Sequence, residues 1–318
     1  MPQGRVRTLV GLVTCLAVLV PLAAWAQTLP LTDFEEQDLV AAYDPVDTQT
    51  DYVEPIEFAS GAQRAHIWYE AGEDTDRKAT LVADPNDAGN TVLHYWVQNA
   101  VVPDGNGTKG RIQMGGPSLK GIQHTAASQE FRMYLHPDMA HLNTFLGASG
   151  YRGLTFAELW MADSPSGARS FRIPFKIYKD DDPNQDMYFQ VSGDRKPFWF
   201  STSGGWSWVW GADNKNFSIP TGEWMDVRIA YQKGHSGTGR VTLEVKRAAD
   251  QSFQCVINAT NVTRHPDKAQ NLQDWHPLKL YARHPMIDHI KNEGGAAQIY
   301  FDDLTLGNAF PAPNSTCS

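Results

Sequence analysis

Between Arg169 and Asp182 the chain reads RSFRIPFKIYKDDD, and its side chains alternate strictly over the first nine or so positions. Phe171, Ile173, Phe175 and Ile177 have one parity; Arg172, Pro174, Lys176 and Tyr178 have the other. A strand turns successive side chains to opposite faces, so one face here is apolar and the other carries two cations and a phenol. The plan recurs along the chain. Arg111 and Gln113 oppose Ile112 and Met114, and Arg132, Tyr134 and His136 oppose Phe131, Met133 and Leu135. Phe156, Glu158 and Trp160 oppose Ala157, Leu159 and Met161. Tyr188 and Gln190 oppose Met187, Phe189 and Val191, while Lys279, Tyr281 and Arg283 oppose Leu278, Leu280 and Ala282.

An ordinary solvated sheet face favours Thr, Ser, Lys and Glu. The outward set here is rich in Arg, Tyr, Trp and Gln, which combine planar area with directional donors and so suit ligand recognition. A plain surface role remains the competing reading for any single residue. Taken together, the set suits an anionic sugar chain. Arg111, Gln113, Arg132, Arg172 and Lys176 are candidates to neutralise a carboxylate. Tyr178, Tyr188, Tyr281 and His284 are candidates to move a proton, with His124 and His136 behind them. In GGWSWVWG, Trp206, Trp208 and Trp210 stand at i, i+2 and i+4, which on a strand is one face. A row of indoles there could stack on sugar rings, or it could be core. Trp160 and Trp199 are further sugar-contact candidates.

The elements that must position these residues are short and β-rich. Some fourteen candidate strands lie between residues 80 and 306, separated by turn chemistry such as DPNDAGN, PDGNGTKG and KGHSGTG. No heptad, repeat or long amphipathic helix is found. HPMIDHIKNEGG reads as a short helix or a lid loop, and residues 27 to about 75 as a weakly patterned wrap. The fold class is all-β, a two-sheet antiparallel β-sandwich or jelly roll. The chain has 318 residues, 42% hydrophobic and 20% charged, enough for one sizeable core and against global disorder.

Arg5 and Arg7 precede the apolar run LVGLVTCLAVLVPLAAWA, which ends in Ala24-Trp25-Ala26. Residues 1–26 therefore read as a secretory signal peptide, with a β-domain over 27–310 and a tail over 311–318. Losing Arg5 and Arg7 and no acid moves the net charge from −9 by two units to −11. That balance speaks against nucleic acid as a partner. No later segment is apolar enough to span a bilayer, so no membrane partner is expected after cleavage. The expected state is a secreted or periplasmic monomer. Cys255 and Cys317 then remain, either as a disulfide or as a buried thiol beside a frayed end.

With these residues in view, the chain resembles the concanavalin A-like jelly-roll polysaccharide lyases, the alginate-lyase and heparin-lyase-like proteins, over roughly residues 33–306. DFEEQDL is similar to their opening strand, GRIQMG to their Arg-x-Glu-x-Arg strand, and FAELW stands where they carry Gln-Ile-His. IPTGEWMDVRIAYQKG with GRVTLEVK resembles their paired back strands, and PLKLYAR with AQIYFDDLTL their last two. Glu158 and Trp160 replace the motif's Gln and His, and Gln113 replaces its Glu. The resemblance implies β-elimination on a uronate glycan; its catalytic set does not carry over whole, and the outward-facing residues themselves make Arg111, Gln113, Glu158, Lys176, Tyr178 and Tyr281 the catalytic candidates. Substrate contacts would come from Arg132, Tyr134, Trp160, Arg172, Tyr188, Gln190, Trp206, Trp208, Trp210, Lys279, Arg283 and His284. It requires no cofactor, although relatives hold a structural calcium between their edge strands, for which Glu35 and Asp302 are the candidate ligands. Two other functions fit the same residues. One is a secreted carbohydrate-binding protein without catalysis. The other is a glycoside hydrolase using Glu158, although a second carboxylate in register with it is missing.

Overall fold

A computed structural model describes residues 28–32, 34–35, 38–41, 50–58, 61–70, 72–100, 109–115, 125–146, 152–162, 169–196, 206–265, 271–307, 309–310 and 317. The signal-peptide reading, His124, Trp199 and most of the proposed tail lie outside them. In chain order the strands are β1 (Thr28–Thr32), β2 (Asp38–Ala41), β3 (Thr50–Phe58), β4 (Gly61–Glu70), β5 (Arg77–Asp84) and β6 (Asp87–Val97). They continue with β7 (Lys109–Gly115), β8 (Ala126–Leu135), β9 (Gly153–Ala162), β10 (Arg169–Tyr178), β11 (Tyr188–Arg195) and β12 (Ser207–Asn214). The last are β13 (Trp224–Gln232), β14 (Arg240–Arg247), β15 (Gln254–Thr260), β16 (Asn271–His276), β17 (Lys279–Arg283) and β18 (Ala297–Gly307). A 3-10 helix covers Pro137–Thr144, and α1 covers His284–Asn292.

The strands form two antiparallel sheets, as the alternation predicts. One has ten strands in the order β12-β11-β10-β9-β17-β7-β4-β3-β2, with β16 also paired to β9. The other has eight, β15-β14-β13-β8-β18-β6-β5, with β1 on β18. Their inner faces meet in one core. Phe171, Ile173, Phe175 and Ile177 of β10 are fully buried, as are Phe131, Met133 and Leu135 of β8. Burying each such side chain contributes about 1.5–3 kcal/mol. Phe131 of one sheet meets Phe156 of the other with ring centroids 6.4 Å apart. A disulfide joins Cys255 on β15 to Cys317, with Cα atoms 5.0 Å apart. Among the described residues no helix is long and apolar enough to cross a membrane.

Two expectations are corrected. The stretch before residue 75 is not a loose wrap, because it contributes β1 to β4, strands of both sheets. On β4, Ala65, Ile67 and Tyr69 point inward while His66, Trp68 and Glu70 do not, an alternation blurred in sequence by a tryptophan on the outer face. Phe156 does not face outward. The β9–β10 register shifts between Phe175 and Lys176, and this bulge turns Phe156 into the core against Phe175 and Phe189.

Candidate functional site

The outer face of the ten-stranded sheet gathers most of the predicted residues. Register carries one row across seven strands: Asp213, Gln190, Lys176, Thr155, Tyr281, Arg111 and Glu70, on β12, β11, β10, β9, β17, β7 and β4. A neighbouring row runs Trp208, Asp194, Arg172, Trp160 and Asp274, ending on β16. Lys279, Gln113 and Trp68 pair across β17, β7 and β4, and Glu158 pairs with His276 of β16. None of these neighbours is close in sequence, so the site is a product of sheet order.

At its centre is an ion pair taken out of water. Lys279 donates from Nζ to Glu158, and the residues are 1% and 2% exposed. Burial alone would raise the Glu158 pKa, but Lys279 and Arg172 overcome it and hold the carboxyl well below its usual range. Burial pushes Lys279 the other way, down to about 8, against the attraction of Glu158. Arg172 reaches Glu158 at 3.5 Å and Asp194 at 3.0 Å. Lys176 donates to Ser192 Oγ at 2.9 Å, and burial lowers its pKa although Asp194 opposes the shift. Arg111 and Lys109 share Glu70, at 2.6 and 2.5 Å. Five cations, Lys109, Arg111, Arg172, Lys176 and Lys279, are thus neighbours of only three carboxylates in these pairs, Glu70, Glu158 and Asp194.

Tyr281 stands in this field. The Arg111 guanidinium lies over its ring at 4.9 Å from the centroid, and Lys279 Nζ is 5.5 Å away. Gln113, 5% exposed, has an Oε1 with no hydrogen-bond partner among the described residues, and neither has Arg111 Nε. An acceptor and a donor left so on adjacent outward positions are the groups a ligand would satisfy. Aromatic rings flank the centre. On one side Trp160 meets Trp206 edge-on at 5.1 Å, and Arg172 and Lys196 lie 4.5 and 5.4 Å over the Trp206 ring. On the other side Trp68 and His66 stand on β4, two residues the sequence reading did not single out.

The remaining predicted residues are distributed differently. Tyr178 and Tyr188 pack on each other at 5.5 Å towards one end of β10, and Tyr188 is buried with Lys215 over its ring. Gln190 stays on the site's face beside Lys176. Arg283 and His284 sit where β17 passes into α1, which settles HPMIDHIKN as a helix rather than a lid loop. Trp206, Trp208 and Trp210 do not share a face. The β11–β12 register shifts between Gly193 and Asp194, so Trp208 is 69% exposed, while Trp210 enters the core and donates to Val262 O at 2.6 Å. Gly193 makes the room, because a Cβ there would meet the Trp210 indole at 2.2 Å. Arg132 and Tyr134 are on the other sheet altogether, since β8 pairs with β13 and β18.

The hydrolase reading of Glu158 fails on the same geometry. A proton donor needs a raised pKa and access to substrate, and Glu158 has neither. Glu35 and Asp302 do line one open pocket of about 570 Å³, with Asp84, Asn90, Arg132 and Trp224. Their oxygens are already acceptors. Asn90 and Arg132 donate to Asp302 at 3.0 and 3.1 Å, Asp303 N donates at 2.9 Å, and Thr91 N donates to Glu35 at 3.0 Å. A calcium site needs free oxygens and no guanidinium among them, so these residues do not fit the metal. Among the described residues no group of three or more metal-binding side chains converges.

The class that fold and face define is a two-sheet β-sandwich with a cationic and aromatic outer surface. No family model and no curated protein sequence matches the chain. Solved structures similar to it in outline include an endo-β-1,4-glucuronan lyase from the fungus Trichoderma reesei, at 14% identity and TM-score 0.46, covering 76% of this chain and 90% of that one. A marine alginate lyase from Aplysia kurodai follows at 12% identity and TM-score 0.47, covering 77% and 90%. The alginate lyase Aly36B, as a mutant with alginate tetrasaccharide, gives 11% identity and TM-score 0.41, covering 71% and 84%. Overlap of this degree describes shape, and the chemistry rests on the chain's own side chains.

Proposed function

We propose that the outer face of the ten-stranded sheet binds an acidic, uronate-containing polysaccharide and cleaves it by β-elimination. The observation that carries this reading is Tyr281, a half-buried phenol on the outer face with Arg111 and Lys279 both close to its ring. Arg111 meets the uronate carboxylate, which draws charge from the adjoining C–H bond and stabilises the carbanion that forms there. Tyr281, acting as its phenolate, takes that proton and returns it to the leaving glycosidic oxygen as the C–O bond breaks and a C=C bond forms. No water is consumed. Lys279 and Glu158 stay buried and hold the floor of the site fixed, and the positive charge offered to the polymer comes from the arginines and Lys176 around them. Arg172 and Lys176 hold neighbouring carboxylates of the chain. The leader read in residues 1–26 would export the protein to where such polymers are found.

The test is Tyr281→Phe, assayed on a panel of uronate polymers by the ultraviolet absorbance of the unsaturated product and, separately, by binding. Loss of product with binding kept supports the assignment. Full activity of the variant removes Tyr281 from the chemistry. Binding by the wild type with no unsaturated product from any polymer leaves a glycan-binding protein without lyase activity.

A further inference from the structure

Trp68 is one of only three large apolar side chains exposed among the described residues, at 39%. It is nevertheless held. Its Nε1 donates to His66 Nδ1 at 3.4 Å, and His66 meets it edge-on with centroids 6.3 Å apart at 80°. The buried His276 backs it at 6.4 Å and also meets Trp160 at 6.4 Å, so the two indoles lie within two such steps of each other. Register puts Gln113, with its unpartnered buried Oε1, directly beside Trp68. The two aromatic ends of the face differ in charge. Trp206 is covered by Arg172 and Lys196, whereas no cation lies over Trp68 among the described residues. An open indole suits the C–H face of a sugar ring, and a carbonyl oxygen beside it suits a sugar hydroxyl rather than a carboxylate.

We propose that Trp68 and Gln113 form a distal subsite that takes one pyranose ring by stacking and by a hydroxyl donated to Gln113 Oε1, without requiring that ring to be charged. This rests on the glycan reading above and adds a direction. The chain crosses the strands from the Trp206–Trp160 end, past Lys279 and Gln113 with Tyr281 and Arg111 in the adjoining row, to Trp68 on β4. A pre-set aromatic ring loses little conformational freedom on binding, so the subsite adds affinity as the chain grows long enough to reach it.

The experiment is calorimetric titration of wild type, Trp68→Ala, Trp68→Phe and Gln113→Ala with size-graded oligouronates and with neutral oligosaccharides, at low and high salt. The expected result is that wild-type affinity rises with length and that Trp68→Ala loses about tenfold on long oligomers only. Trp68→Phe should restore most of it. The loss should not change with salt, because stacking is not screened. Gln113→Ala should weaken the same long oligomers. If Trp68→Ala binds every length as the wild type does, the subsite is overturned and the acidic-glycan reading stands. If no oligouronate binds but neutral oligomers do, with loss in Trp68→Ala, the subsite stands and the acidic reading falls. Binding of neither class overturns both.

Discussion

The outer faces of the two sheets are built from the same kinds of residue and differ in how far those residues satisfy one another. On the eight-stranded sheet, His94 stacks on Tyr300 at 4.1 Å, Tyr134 meets Tyr300 and Trp224 at 5.5 Å each, and Arg132 covers Trp224 at 4.6 Å. Arg132 also pairs with Asp302. These groups satisfy one another, and Tyr134 and Trp224 end up buried in a small cluster of their own. On the ten-stranded sheet the cations are likewise paired, but Gln113 and Arg111 keep unpartnered polar atoms and Trp68 and Trp208 keep exposed indoles. Residue types alone therefore do not mark a binding face: Arg, Tyr and Trp are on offer to a ligand only where they leave something unsatisfied.

The sharpest way to break this comparison is at the buried pair. Glu158→Ala leaves Lys279 buried without its counter-charge and should cost about 3–5 kcal/mol in urea unfolding. Replacing both residues with apolar side chains of similar volume should restore most of that stability. A small effect of the single variant would mean that water reaches the pair. Next come the tryptophans of β12. Trp210→Ala should cost about 3–5 kcal/mol by opening a core cavity, whereas Trp208→Ala should stay within about 0.5 kcal/mol. Equal costs would contradict the bulge that separates them.

The smallest effect belongs to Asp302 on the other face. Burial, the largest cause, raises its pKa to about 6, even though Asn90 donates to it. Its folded form therefore holds a proton that the unfolded chain has already released. The sign follows: stability should fall as pH rises from about 4 through about 6, and Asp302→Asn should remove that part of the slope. Thermal melts across this range check it, and an unchanged slope in the variant would place the titration elsewhere.

Much of this fold was legible because β-strands announce themselves by parity. The alternation in SFRIPFKIYK is the alternation of β10, and the core side of β7, β11 and β17 followed the same rule. What parity cannot carry is sheet membership. EFRMYLH and SFRIPFKIYK read alike, yet β8 and β10 lie in different sheets, so parity alone puts Arg132 and Tyr134 with a face they do not share. Bulges were also invisible, because one extra residue reverses the parity of Phe156 and Trp210 without any mark in composition. The Glu158–Lys279 pair joins residues far apart in sequence. Trp68 went unnoticed because a tryptophan on the outer face made β4 look apolar on both sides.

The most direct test of the central claim compares one arginine from each face. A uronate oligomer is titrated into wild type, Arg111→Ala and Arg132→Ala at low salt, with a neutral oligomer alongside. Arg111→Ala should bind the uronate about tenfold more weakly or worse, with the neutral oligomer little affected, and Arg132→Ala should bind both as the wild type does. Uronate binding lost in Arg132→Ala but kept in Arg111→Ala would contradict that claim and place the glycan on the eight-stranded sheet.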